Sequence, residues 1–533
     1  ITYEPGRGRG NLSKIVFTSP FWEEFEKAVD IRVEQDRVDE VIKLLQMDIP
    51  EGWRNHFSKK IPSLFGLQIK QESKDILRTI MTRNLTTLDP LYSSITVESY
   101  LIQQFGDTLV NYNEREDRIE PHLAHSWESL EDNKVWIFYL RKGVRFHHQK
   151  LLTSWDVQYT FERFQKEDLP YYWLVEDIEK IECPNETTIC FTLKHSNPFF
   201  IRYVSSSSLV ILPNDVPFDE WNWIGTGPFK MKERTEAKLV IEAFDDYFKE
   251  RPLLDEVQFW RVPPNAVKGI TFQVEQSEEQ SSSERKEDIE SGFRFLAFNF
   301  HRFKYAHDAS FREAMYHLFN MQKMWKDLQR NHLVEASSFL PERSAPLKKN
   351  ASFIPKLLRN SSYQGEEIIT YALHRKNAKE GAEWFKQEAS RYGVNISIKL
   401  FHIEDLYTAN FEQQADLLFL GEVATMDKHL SFLGAFYNKA LIFRRFLSPA
   451  HLNVIDSMLE DVKRGQTKEE REKKIIEIEN YIKTNNLFIF LYHPIKTRFF
   501  HPMIKNIEVD SFTQINLRKL WVKPELGIYE IHS

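Results

Sequence analysis

The stretch Ile368-Ile369-Thr370-Tyr371-Ala372-Leu373, a helical pattern running to Gly393, and a second apolar run from Val394 to Phe401 decide the fold class. The first six residues are β-branched, aromatic and apolar, and read as a strand. Asn377 with Glu380 predicts a capping box at the start of the helix, and Gly393 predicts its stop. Strand, helix and strand in succession make a unit whose two strands run parallel, joined by a right-handed crossover. The expected class is α/β.

Working outward, the same signals recur. Ile76 to Met81 is a strand ending at Arg83-Asn84, and Val135 to Leu140 alternates as a strand should. Asp416 to Leu420 and Leu487 to Tyr492 are further strands. Thr467 with Glu470 predicts a capped helix carrying Ile475, Ile476, Ile478 and Ile482. The chain has 533 residues, more than one compact core accommodates, so two lobes are expected. Hydrophobic residues make up 42%, enough for buried cores, and 18 glycines are too few for a low-complexity chain. A net charge of −7 excludes a basic nucleic-acid coat, so any DNA contact must be a local patch. Cys183 and Cys190 flank a hairpin turning at Pro184-Asn185, close enough to face each other, and are expected to be free, partly buried thiols. No run approaches the ~18 apolar residues of a membrane span. Glu275 to Asp288, with Ser281-Ser282-Ser283 amid charges, reads as an exposed loop near a lobe crossover.

The front end differs in character. Tyr3-Glu4-Pro5-Gly6-Arg7-Gly8-Arg9-Gly10 reads as the tip of a β-hairpin wing, with Lys14-Ile15-Val16-Phe17 as its returning strand. Arg7, Arg9 and Lys14 then suit a phosphate backbone or a narrow minor groove. Ser19 and Pro20 predict a helix start, with Phe21, Phe25 and Val29 on its apolar face. Asp36 starts a second helix bearing Val38, Val41, Ile42 and Leu45. The expected organisation is a wing remnant at 1–17, a helical connector at 18–70, a first lobe at 71–265, a second lobe at 266–485, and a C-terminal segment, 486–533, returning to the first lobe.

Several phrases, in order, carry a resemblance. They are Thr87-Leu88-Asp89-Pro90, Pro121-His122-Leu123-Ala124-His125-Ser126-Trp127, and the stretch Trp136 to Phe146 with Trp155-Asp156-Val157. Gly225-Thr226-Gly227-Pro228-Phe229, Leu253 to Val257 and Leu296-Ala297-Phe298-Asn299 follow. Together they resemble the solute-binding proteins of oligopeptide and nickel importers. With the Gly-Arg hairpin in front, and with Phe146-His147-His148 and Phe244 to Phe248, the chain is similar to the SgrR-type regulators. That resemblance implies a two-lobe, periplasmic-binding-protein-like (type II) sensor behind a truncated winged helix. It implies a cytoplasmic, non-enzymatic transcription regulator whose partners are promoter DNA and a small solute of the sugar phosphate, sugar or peptide class, with no membrane partner. The helix-turn-helix that precedes the wing in such regulators is not in this sequence, and Ala266 to Ser291 departs from the small-residue helix of transport relatives. An extracellular binding protein of an importer for oligopeptides or nickel is the alternative.

The ligand site is expected in the interlobe cleft, at the carboxyl ends of strands. Tyr92, Ser93 and Ser94 follow the Leu88-Asp89-Pro90 turn; Thr226 lies near the crossover; Asn299 ends a strand. Glu422 and Asp427 stand where peptide-binding relatives place an acid for the ligand's amine. Arg83 is the candidate for an anionic ligand. The competing reading for each is a turn former, a packing residue or a surface arginine. Trp136 and Trp155 are expected in the first lobe's core. His122 and His125, or His147 and His148 pointing apart along an extended strand, lack a third ligand, so no metal is expected. No cofactor is expected, and no nucleophile elbow, phosphate loop or paired-carboxylate signature points to an enzyme.

Overall fold

The computed structural model describes residues 2–4, 14–16, 22–58, 60, 64–69, 74–81, 83–262, 284–330, 333–406, 410–424, 426–500, 504–508 and 515–523. For 2–4, 14–16, 66–69, 284–286 and 497–500 it describes the backbone alone.

The βαβ unit forms as expected: Ile368–Leu373 and Ile396–Phe401 pair in parallel around the helix Lys376–Ser390. The expected capping box does not form. Arg375 is the N-cap, in extended backbone and with no side-chain cap, so Asn377 is already helical. Glu380 instead accepts from Arg330. The helix stops at Ser390 with Arg391 as its C-cap, three residues before the expected stop, and Gly393, with φ +79°, turns the chain toward the next strand.

These two strands belong to a seven-stranded sheet with Glu284–Ile289, Gly292–Phe298, Leu333–Glu335, Leu417–Val423 and Phe488–Phe500. It is the frame of the second lobe. Residues 284–289, expected as loop, pair antiparallel with Phe488–Phe500. That strand stays in the sheet through Phe500, so the return to the first lobe does not begin at 486 as expected. The core here is packed aromatic side chains: the Phe443 ring stacks 4.5 Å from Phe488, and the Phe293 ring meets Phe339 edge-on at 4.6 Å and Phe490 tilted at 4.8 Å.

The first lobe rests on two sheets. One has five strands, in the order Phe229–Arg234, Lys238–Ala243, Glu256–Arg261, Asp75–Met81 and Gly66–Ile69. The other has four, in the order Ala124–Leu130, Val135–Leu140, Thr188–Leu193 and Ile178–Asn185. In the latter hairpin Cys190 lies opposite Glu182, one residue out of register with Cys183, and both thiols are free. Trp136 is buried in this lobe, but Trp155, expected beside it, is 44% exposed on the helix Ser154–Glu162.

At the front, Thr2–Glu4 and Lys14–Val16 form an antiparallel hairpin, with Tyr3 opposite Ile15. Arg7, Arg9, Ser19 and Pro20 lie outside the described residues. The helices Trp22–Glu34, Val38–Gln46 and Glu51–Ser58 bury Val29, Val41, Leu45 and Phe57 against Trp260 and Val262 of the five-stranded sheet. Asp36 does not cap the second helix, whose N-cap is Arg37. It binds the buried Arg78 of Asp75–Met81, tying helices to sheet.

The turn Gly225-Thr226-Gly227-Pro228 lies directly on the backbone of Phe105. A Cβ on Gly227 would stand 2.4 Å from the Phe105 carbonyl carbon, and one on Gly225 would stand 2.3 Å from its oxygen. His147 braces the turn, accepting from Gly225 N at Nδ1 and donating to Gly227 O at Nε2. Burial pushes its pKa down to about 4, as this neutral tautomer requires. His148 points elsewhere, to Asp215 at 3.1 Å, and the two histidines occupy a turn rather than a strand. Gly227→Ala is expected to lower stability by at least ~1–3 kcal/mol. Gly381→Ala, at an open helical position, is expected to raise it by up to ~1 kcal/mol. Urea unfolding of the two variants measures both.

Candidate functional site

Between the lobes lies a cleft of about 350 Å³. One wall comes from the helix Thr96–Phe105, the segment Asp107 to Tyr112, Tyr171, Trp173, the run Ser205 to Ser208, and Tyr247. Ile515, Asn516 and Arg518 of the returning C-terminal segment complete that wall. The facing wall is the end of the strand Leu417–Val423, with Met426, Asp427 and the helix Lys428–Tyr437. This is the carboxyl edge of a strand running parallel to its neighbour, where open α/β sheets admit ligands.

Of the residues expected here, Ser94, Glu422 and Asp427 line the cleft. Arg83 does not. It makes two 2.7 Å bonds to the fully buried Glu98, which also accepts from Thr86 N, so its guanidinium is committed to the scaffold. Thr226 is fully buried behind the wall and donates to Asp107 Oδ2 at 3.0 Å. Asn299 is fully buried in the second lobe, donating to the carbonyls of Glu412 and Ala415. Tyr92 is exposed outside the cleft. Ser93 is buried behind Ser94, and its carbonyl accepts from Tyr171 Oη at 2.8 Å. Lys14 opens the returning strand of the front hairpin, far along the chain from the cleft residues.

Glu422 faces the cleft from a strand rather than from a loop beyond it, opposite Phe293 of the neighbouring strand. Burial pushes its carboxyl up to about 8, against a single backbone hydrogen bond from Val423. Near neutrality it is therefore largely uncharged.

Asp427 caps the helix Lys428–Tyr437 through Leu430 N, and its second oxygen accepts from Arg202 Nε of the first lobe at 2.6 Å. Arg202 also donates to Asp117 at 2.9 Å, and its guanidinium lies 4.4 Å from the centre of the Tyr112 ring. The other Asp117 oxygen accepts from Arg471 of the second lobe at 3.1 Å. Burial pushes the Asp117 carboxyl up, but the Tyr112 hydroxyl and both arginines outweigh it and hold the pKa below the usual range. Arg471 donates to His429 Nδ1 at 3.1 Å. Burial, then the Arg202 and Arg471 charges, push that imidazole down to about 3, so it is neutral. Two guanidiniums and two carboxylates thus alternate across the seam, charge-balanced. Trp173 lies 5.7 Å from Tyr437 and covers Gly434 beside them, which closes the same edge.

Sequence reasoning missed Asp107, Tyr171, Trp173, Arg202, Tyr247 and Arg518. His122, whose spacing from His125 gave only an incomplete metal set, is buried against Asp107 at 2.7 Å. Among the described residues no three His, Cys, Asp or Glu side chains converge as metal ligands, and no helix is long and apolar enough to cross a membrane.

Arg202→Met leaves two buried carboxylates short of a partner. A stability loss of ~3–5 kcal/mol is expected in urea unfolding, partly recovered in Arg202→Met/Asp427→Leu. A carboxyl with a raised folded-state pKa is protonated in the folded chain where the unfolded chain has already ionised. Its stabilising contribution, complete below pH ~4.3, is lost as pH climbs through about 8. Glu422→Gln is expected to flatten that decline in a pH series of unfolding curves.

Comparison with known proteins places this geometry. The model of the bacterial extracellular solute-binding proteins, family 5 middle, matches residues 118–442. The uncharacterized protein YhjP of Bacillus subtilis (strain 168) is 27% identical over 86% of this chain and 80% of its own length. The HTH-type transcriptional regulator SgrR of Pectobacterium atrosepticum is 30% identical over 56% of this chain, and the match spans about half of that regulator, 51%. Among solved structures, the ABC transporter-associated periplasmic binding protein DppA from Helicobacter pylori, in complex with peptide STSA, aligns with TM-score 0.72 and 21% identity. That alignment covers 84% of this chain and 98% of that one. NikZ from Campylobacter jejuni in complex with Ni(L-His) aligns with TM-score 0.69 and 17% identity, over 85% and 100%. At these identities the structures establish the two-lobed fold.

Proposed function

The chain belongs to the family 5 bacterial extracellular solute-binding proteins, and from that premise we propose that it is the sensing body of a cytoplasmic, DNA-binding transcription regulator. A small polar solute of the sugar phosphate, sugar or peptide class would enter the cleft and favour the closed arrangement. The observation that carries this reading is the front end. An antiparallel strand pair, Thr2–Glu4 with Lys14–Val16, precedes three helices that are packed and ion-paired onto the first lobe's sheet through Trp260, Val262 and the Arg78–Asp36 pair. The likeness to HTH-type regulators points the same way. A solute shifts the equilibrium only by its differential affinity for the two states, and ~10⁴-fold is needed for a near-complete switch. The rival reading, an importer's extracellular binding protein, rests on the family match and the fold and requires no affinity for DNA.

The test is duplex-DNA binding by the natural full-length protein, followed by fluorescence anisotropy across a salt series. Replacing Arg7 and Arg9 by Gln is expected to lower the slope of log affinity against log salt by ~0.9 per residue. An unchanged slope, or recovery of the protein from the cell envelope of its host, would overturn the reading.

A further inference from the structure

The cleft's charges are distributed unevenly, and its two carboxyls on the second lobe contribute little negative field. Asp427 is neutralised by Arg202 and its helix cap, and Glu422 is largely uncharged near neutrality. The first-lobe wall is different. Asp107 Oδ1 accepts from His122 Nε2 at 2.7 Å and from Tyr247 Oη at 3.0 Å, while Oδ2 accepts from Thr226. Fixing the proton of His122 on Nε2 leaves Nδ1 as an acceptor, and Lys249 Nζ fills it at 2.6 Å. Arg141 donates to the His122 carbonyl at 2.6 Å, and Arg518 stands beside the Tyr247 hydroxyl. Three cations therefore surround one carboxylate whose oxygens are already occupied. The nearby Glu120 is taken by Asn113 and Arg118. Burial, then the Arg518 charge, lowers the Lys249 pKa, with Arg141 adding to the effect and Asp107 and Glu120 opposing it. Among the described residues no ion pair is formed by Lys249 or Arg518 with a carboxylate.

We infer that Arg518 on the cleft wall, backed by Lys249, which His122 Nδ1 holds in place, forms an anion-accepting pole at one end of the cleft, which takes a carboxylate or phosphate group of the solute. The rest of the cavity offers neutral hydrogen-bonding groups, Ser94, Asn111, Ser206, Ser431 and Asn438, with the Trp173 indole N–H lacking a partner among the described residues. The ligand class that fits both halves is a small anion whose remainder carries hydroxyl or amide groups. This rests on the reading of the cleft as a solute site. The anion supplies a counter-charge that, among the described residues, no carboxylate gives the Lys249–Arg518 pair, and a guanidinium and an ammonium suit the bidentate and point-charge recognition of such groups.

Calorimetric titration of the full chain at constant ionic strength, with inorganic phosphate, acetate and uncharged glucose as probes, tests it. Saturable binding of phosphate or acetate at one site per chain is expected, weakened at least tenfold by Arg518→Gln and by Lys249→Gln. Arg518 lies on a short surface segment, so its variant keeps the test valid if Lys249→Gln does not fold. Phosphate bound in preference to acetate assigns the group as phosphate, and the reverse assigns it as carboxylate. Equal binding by the variants and the natural chain overturns the pole. Glucose binding with neither anion bound overturns the pole and leaves the cleft reading standing; no binding of any probe overturns both.

Discussion

The seam between the lobes depends on Arg202. Its guanidinium meets Asp427 of the second lobe and Asp117 of its own lobe, and Arg471 reaches Asp117 from across the seam. Each pair at contact distance is worth ~4 kcal/mol at an effective dielectric near 20, while stripping water from each ion costs several kcal/mol. The two nearly cancel, so the seam adds little net bias between arrangements of the lobes. An apolar seam of equal area would favour closure with or without ligand. An alternating array of charges holds one geometry with little net bias, and under the proposed reading leaves the decision to what occupies the cleft. Asp427 makes the coupling tighter, because the carboxylate that receives Arg202 also caps the helix forming the opposite wall.

A second constraint is the buried Asp107. Through Thr226 it holds the Gly225–Pro228 turn, and through His122 and Tyr247 it holds the cleft wall. The two glycines of that turn are needed because the Phe105 backbone occupies the space of their Cβ atoms. The motif thus acts one step removed from the ligand. Its threonine positions an aspartate, and the aspartate fixes the tautomer of a histidine on the wall.

This indirectness explains what was legible in the sequence. Periodicity revealed the βαβ unit at 368–401, the strand at 135–140 and the capped helix after Thr467, since each is decided by neighbours within one turn or one strand. Glu422 and Asp427 were expected at the cleft from the likeness to peptide-binding relatives, and both line it, Glu422 from within its strand. Arg83 and Thr226 were misassigned because a guanidinium or hydroxyl looks equally available until its partner is known. Those partners, Glu98 and Asp107, lie 15 and 119 residues away. Arg202 and Arg471 carry no local signal, as their meaning arises only when the lobes meet. Residues 284–289 read as a loop because their charges mask a strand whose pairing partner begins some two hundred residues later.

The packing also limits how a ligand's arrival reaches the front end. The helices at 22–58 rest on the same sheet that frames the first lobe, and their buried cluster contains no described residue of the second lobe. Rotation of one lobe against the other would carry these helices along with the first lobe and leave their own contacts unchanged. Coupling requires an element whose energy differs between the open and closed states and which both sites bias. The returning segment at 504–522 has that character. It leaves the second lobe's sheet, packs Ile504, Leu517 and Leu520 into the first lobe's core, and presents Arg518 to the cleft. It anchors to the helix Thr96–Phe105 through Tyr100, whose hydroxyl donates to the Ile515 carbonyl. A solute engaging Arg518 would therefore act directly on a crossover between lobes, on the face of the sheet opposite the one that carries the helices.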